Sequence, residues 1–142
     1  MGKILGVDFG EARTGLAITD SLQIIASPFK TLKYKDINKL INKLADIIYS
    51  EDIEKIVVGL PIGTSGKDTR RTKITRKFIN KLKNSLNIPV EMFDERFSSD
   101  EARDILIQQG IKTGHAKAKV DSTAAAIILR RYLDDQKENN SN

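Results

Sequence analysis

Over the first thirty or so positions the apolar residues come in short β-branched runs, and from Asp36 onward they recur every three or four residues. The run Lys3 to Val7 predicts a buried strand that delivers a carboxylate, Asp8, at its end. Phe9-Gly10 and Gly15 allow the backbone to turn tightly before Leu16 to Thr19 return as a second strand, which makes a hairpin with an acid at its mouth. Ile24 to Leu32 predicts a third strand, interrupted by Ser27-Pro28 and so suited to an edge or a bulge. These three strands form an antiparallel meander. Ile37, Leu40, Ile41, Leu44, Ile47 and Ile48 then mark an amphipathic helix that Asp36 can cap. Lys55 to Gly59 reads as a short buried strand, Leu60 to Lys67 as a loop, and Asp68 to Leu86 as a second helix with Ile74, Phe78, Ile79, Leu82 and Leu86 inward.

Val90 to Asp94 predicts a fifth strand, and Ser98 with Glu101 forms a capping box for a helix ending at Gly110. Ile111 to Lys119 has few apolar residues and reads as a basic loop, so that Asp121 starts the last helix. Its Ala124-Ala125-Ala126 run permits close approach to a sheet, and the chain beyond Leu133 reads as a frayed tail. The order implies an α/β fold: a mixed five-stranded sheet, an antiparallel meander plus parallel strands, with helices on both faces. One domain over residues 1–135 and a disordered tail at 136–142 are expected.

A chain of 142 residues can bury a core without staples, and it holds no cysteine, which excludes disulfides, thiol nucleophiles and thiolate metal sites. No apolar run reaches the length of about 20 residues that a membrane span needs, and the chain opens on a strand, so a cytoplasmic protein is expected. The net charge is +5, and it is concentrated. Lys67 to Lys83 holds eight lysines and arginines against the single acid Asp68, and Ile111 to Lys119 holds three lysines and no acid. Two such patches suit a polyanion, although a solvated helix face also collects lysines.

Four carboxylates fall where elements begin or end: Asp8, Asp94, Glu95 and Asp121. If the first, fourth and fifth strands are parallel, their C-terminal ends share the rim where open α/β sheets place ligands. Asp8 and one of Asp94 or Glu95 are then neighbours, and a last helix packed through its alanines brings Asp121 alongside. Three clustered carboxylates repel unless a cation balances them, and with one histidine and no cysteine the oxygen-only set suits Mg²⁺ or Mn²⁺. Such a cluster beside basic patches is the equipment of phosphodiester hydrolysis. Plainer roles are equally open residue by residue: Asp8 pairing with Arg13, Asp121 capping its helix, Glu95 pairing with Arg96. The stretch LPIGTSGKD fails the phosphate-loop pattern, because Pro61 stands where its first glycine belongs and Asp68 follows Lys67. It is either a cradle for one phosphate, extended by Arg70 and Arg71, or a simple strand-to-helix turn. His115 falls in the basic segment and reads as a surface residue.

Four motifs in this order and spacing, GVDFGEARTGLAITD, IVVGLPIGTSGKDTRRT, FDERFSSDEAR and KVDSTAAAIIL, resemble the YqgF/RuvX family of the RNase H-like, RuvC-resolvase-like superfamily. The resemblance runs from Lys3 to about Leu133. It implies an RNase H-like fold, a metal-dependent nuclease that matures the 5′ end of the small-subunit ribosomal RNA precursor, and an older label of Holliday-junction resolvase. Carried over by motif, Asp8, Glu95 and Asp121 are the three catalytic and metal-holding acids. Related resolvases have their second acid after the fourth strand. LPIGTSG offers none, so the fifth strand must supply it; since adjacent strand residues face opposite ways, Glu95 is chosen and Asp94 supports it. Arg13, Lys67, Arg70, Arg71, Arg96 and Lys119 are the expected substrate-binding cations.

The partners expected are a structured RNA precursor first, branched DNA second, and ribosomal particles, with the protein a monomer or weak homodimer. Two other classes compete with the nuclease. One is a non-catalytic RNA-binding assembly factor that keeps only the basic face. The other is a relative of actin-like ATPases and sugar kinases, suggested by DFGEARTG but short of the second domain such enzymes use.

Overall fold

The computed structural model describes residues 2–62, 66–94 and 113–140, with side chains from Val120 to Lys137 in the last segment. Its strands are β1 (Lys3–Phe9), β2 (Arg13–Thr19), β3 (Ala26–Lys33), β4 (Ile53–Leu60) and β5 (Val90–Asp94). Its helices are α1 (Ile37–Ser50), α2 (Arg70–Ser85) and α3 (Thr113–Asn140). The sheet order is β3-β2-β1-β4-β5. β1 pairs antiparallel with β2 and β2 with β3, whereas β1, β4 and β5 are mutually parallel. The sheet is therefore mixed, with the first strand central, and the ends of β1, β4 and β5 open on one rim.

β1 is apolar on both sides because the sheet is covered on both sides. Leu5, Val7 and Phe9 join Leu40, Leu44, Ile56, Val58, Ile79 and Leu82 in the larger core, under α1 and α2. Ile4 joins Ala17, Val57, Ala125, Leu129 and Tyr132 under α3. Alternation then sets Ile4, Gly6 and Asp8 on the α3 face. Phe9 stacks on Phe78 of α2 with ring centroids 4.0 Å apart, which fixes α2 against the end of β1.

Local chemistry sets the boundaries. Asp36 caps α1 by accepting from the Asn38 N–H at 2.8 Å. Thr69 and Thr72 form a reciprocal capping box on α2, and the buried Thr72 hydroxyl also donates to the Pro61 carbonyl, tying the helix start to the end of β4. β3 is an edge strand with a register shift opposite Pro28, as the Ser27-Pro28 break requires.

Two expectations are corrected. The last helix begins at Thr113, not at Asp121, and it continues past Leu133 to Asn140. Ala116, Ala118 and the lysines between them are strong helix formers that carry no apolar stripe, so a reading by hydrophobic period alone takes them for a loop. The capping box at Ser98 and the helix ending at Gly110 lie outside the described residues. Among the described residues no helix is long and apolar enough to cross a membrane.

Candidate active site at the rim of the sheet

Asp8 is next to last in β1 and is 7% exposed. Its cross-strand partner is Gly15 of β2, and Gly15 is where α3 touches the sheet. A Cβ built on Gly15 would lie 2.0 Å from the Asp121 carbonyl oxygen and 2.9 Å from the Ser122 nitrogen. Only glycine lets the helix backbone come so close. Farther along, a Cβ on Gly6 would meet Leu129 Cβ at 3.0 Å and the Ala125 carbonyl at 3.2 Å, so small residues line the whole contact. The consequence is chemical: Asp121 is carried to the strand pair that bears Asp8, on the same face. It sits about two turns inside α3, which removes helix capping as its role.

Arg13 of β2 stands on this face as well, its Nε 2.9 Å from Asp121 Oδ2. That oxygen meets no donor in good hydrogen-bond alignment, so the contact is chiefly Coulombic. Burial pushes the Asp121 carboxyl above the usual carboxylate range, opposed by the guanidinium of Arg13 and, more weakly, by that of Arg71. The protein's own cations thus fall short of offsetting the lost hydration of this carboxylate.

On the other flank, Arg71 Nη2 donates to the Phe9 carbonyl at 3.4 Å, and Arg70 Nη1 donates to Glu11 at 2.9 Å in an exposed ion pair. Both arginines open α2, beside the β1–β2 turn. Lys67, just upstream, is exposed. Phe93 packs against the α3-side core, so its neighbour Asp94 lies on the opposite face from Asp8. Glu95 and Arg96, and the side chain of Lys119, lie outside the described residues. Among the described residues no three Asp, Glu, His or Cys side chains stand close enough to hold a metal ion.

Asp8 and Asp121 nonetheless suit a hard divalent cation: they are oxygen donors, sparingly exposed, with negative charge only partly compensated. What sequence reasoning missed here is Gly15, taken for a turn residue. The detectable signal was a glycine inside a strand whose neighbours are apolar, a mark of close backbone approach.

A mixed sheet in this order, helices on both faces and acids at the rim beyond the parallel strands define the class of RNase H-like, resolvase-type folds. Thermus thermophilus RuvC in complex with a Holliday junction substrate superposes with a TM-score of 0.58 at 13% identity, over 96% of each chain. The fowlpox virus resolvase in complex with Holliday junction DNA does so with a TM-score of 0.57 at 15% identity, over 94% of this chain and 98% of the other. Both are likenesses of fold.

The chain belongs to the RuvX family, whose model, described as Holliday junction resolvase, matches residues 2–135. Relatives named as pre-16S rRNA nucleases include one from Maridesulfovibrio salexigens, 39% identical over 92% of this chain and 97% of its own length. Another, from Endomicrobium trichonymphae, is 39% identical over 97% of this chain and 99% of its own length. The chain is thus a member of a family of phosphodiester-hydrolysing nucleases.

Proposed function

We propose that this protein is a divalent-metal-dependent nuclease that processes the 5′ end of the small-subunit ribosomal RNA precursor in the cytoplasm, on ribosomal particles or their precursors. The relatives' names supply the substrate class, and the meeting of Asp8 and Asp121 across Gly15 carries the chemistry. A single domain over residues 1–135, as a monomer or weak homodimer, would suffice. Asp8 and Asp121 would hold Mg²⁺ or Mn²⁺, with Glu95 as third ligand. Asp94, on the far face, is unsuited to that place. When bound, such a cation supplies charge neutralisation at the scissile phosphate and eases deprotonation of the attacking water. The rest falls to the chain. With positive charge supplied at the carboxylates, the Asp121–Arg13 pair loosens and Arg13 can turn to a phosphate. Arg71 adds a fixed cation, and Lys67, Arg70, Arg96 and Lys119 hold more distant phosphates.

Cleavage of a precursor transcript and of a four-way DNA junction, with Mg²⁺ or Mn²⁺ against chelator, tests this reading. Metal-dependent cutting of the RNA, reduced by at least a hundredfold in Asp8→Asn with the fold intact, is the expected result. Cutting of the junction alone would favour the second reading, a resolvase, for which the family's description and the junction-bound fold neighbours speak. Binding of both without cutting of either would leave a non-catalytic RNA-binding factor.

A further inference from the structure

Besides the basic segments visible in the sequence, the fold assembles a cationic surface from residues spread over three elements. An open groove of about 600 Å³ runs from Arg13 on β2, past Lys33 and Tyr34 at the end of β3 and the neighbouring Lys35, to Lys39 and Lys43 on α1. Five of its lining residues are cations and none is an acid. We propose that this groove binds the phosphate backbone of a nucleic-acid strand on the side of the carboxylate rim away from α2, so that the substrate crosses the rim between two cationic banks. The proposal rests on the nuclease reading of the site and adds the path of the strand.

Continuity is the first argument. Arg13 lines the groove and also touches Asp121, so the groove opens directly onto the candidate site. In the sheet, β2 and β3 lie to one side of β1, while α2 packs over β4 and β5 on the other.

The second argument is charge. Lys39 and Lys43 are one helical turn apart, where like charges repel. Lys43 Nζ has only the Lys33 carbonyl, at 3.4 Å, and the neighbouring carboxylate of Asp36 is engaged in capping α1. Such an array costs folding free energy unless an anion relieves it.

The third argument concerns what the groove lacks. Its one aromatic, Tyr34, stacks on Phe9 with centroids 6.1 Å apart and donates its hydroxyl to the Gly10 carbonyl, so it forms floor and not a platform for bases. Four of the five cations are lysines, point charges that hold phosphates without a base-reading fork. No Leu, Met or Trp lines it, although protein interfaces centre on such anchors. These features favour a nucleic-acid backbone over an acidic protein.

The test measures binding of one hairpin sequence, made as RNA and as DNA, by fluorescence anisotropy over a range of salt with chelator present, so that no cleavage contributes. Lys35→Ala/Lys39→Ala/Lys43→Ala is compared with wild type, and Lys39→Gln/Lys43→Gln serves as a milder second variant should the triple one fold poorly. The expected result is at least tenfold weaker binding near 0.1 M salt. The slope of log Kd against log salt should fall by about 2 for the triple variant, at 0.7 to 0.9 per phosphate released, equally for RNA and DNA. An unchanged slope, or a loss confined to one of the two nucleic acids, would overturn the proposal. So would loss of polyglutamate binding with nucleic-acid binding intact, which would assign the groove to an acidic protein partner. Because the readout is binding without metal, failure of the groove and failure of the nuclease reading are separate results.

Discussion

A carboxylate that burial drives toward its protonated form makes the folded chain pay for ionisation, and Asp121 is such a group. Its folded pKa lies above the unfolded value of about 3.9. Its contribution to folding is therefore fully present below that value and is lost as pH rises through the folded pKa. Without metal, Asp121→Asn should be at least as stable as wild type at pH 7, by up to a few degrees in Tm, and the difference should close on acidification to pH 4. Thermal melts in chelator at the two pH values check this. A variant clearly less stable at pH 7 would mean that the Arg13 ion pair outweighs the desolvation. At this scale the sequence was informative about which residues carry charge and less so about what they face. Asp8 is legible because a buried strand leads straight into it. The partner of Arg13 is not, since the local candidate was Asp8 and the fold supplies Asp121, far away in sequence.

Elements meet at distances that individual glycines set. At Gly15 an added methyl would run into α3 backbone, which cannot rotate away as a side chain can. Gly15→Ala should accordingly destabilise the protein by about 3 kcal/mol, the upper part of the usual range for overpacking. Cleavage should fall further than stability does, because α3 must lift and take Asp121 with it. Gly66→Ala is the control: its Cβ would meet nothing, but φ is +80°, so the cost should be about 1 kcal/mol and confined to the turn. Urea titrations of both variants beside their single-turnover rates separate the two effects. The far half of α3 has its own anchor, Lys55 donating to the Tyr132 hydroxyl at 2.9 Å and that hydroxyl to Glu91 at 2.6 Å, so a disturbance at Gly15 tilts the helix without releasing it. Most elements were legible from period and caps: Asp36, the meander, the Pro28 edge and β5 all stand as read. The start of α3 was not, since its first turns rest on propensity with no apolar stripe. Thr72 and Thr75, buried in α2, were hidden for the opposite reason, being polar residues facing the core.

For the molecule as a whole, the mixed topology sends the ends of three parallel strands to one rim, and the cations of α2 stand over it. The charge run at Lys67 to Lys83 announced this bank in the sequence, but the division of labour within it needed coordinates. Arg70 is largely exposed and meets only Glu11, so it acts on bound anions alone. Arg71 reaches the Phe9 carbonyl and lowers the pKa of Asp121 across the rim. The two substitutions should therefore diverge. Arg70→Ala should weaken binding evenly across sequences and reduce the salt slope by about 1, leaving the pH dependence of kcat unchanged. Arg71→Ala should weaken binding similarly and, in addition, move the acid limb of the pH–rate profile to higher pH, because Asp121 loses one of the charges that favour its ionised form. Binding isotherms over salt together with pH–rate profiles for the two variants decide it. Identical acid limbs would show that Arg71 serves only to hold phosphate, as Arg70 does.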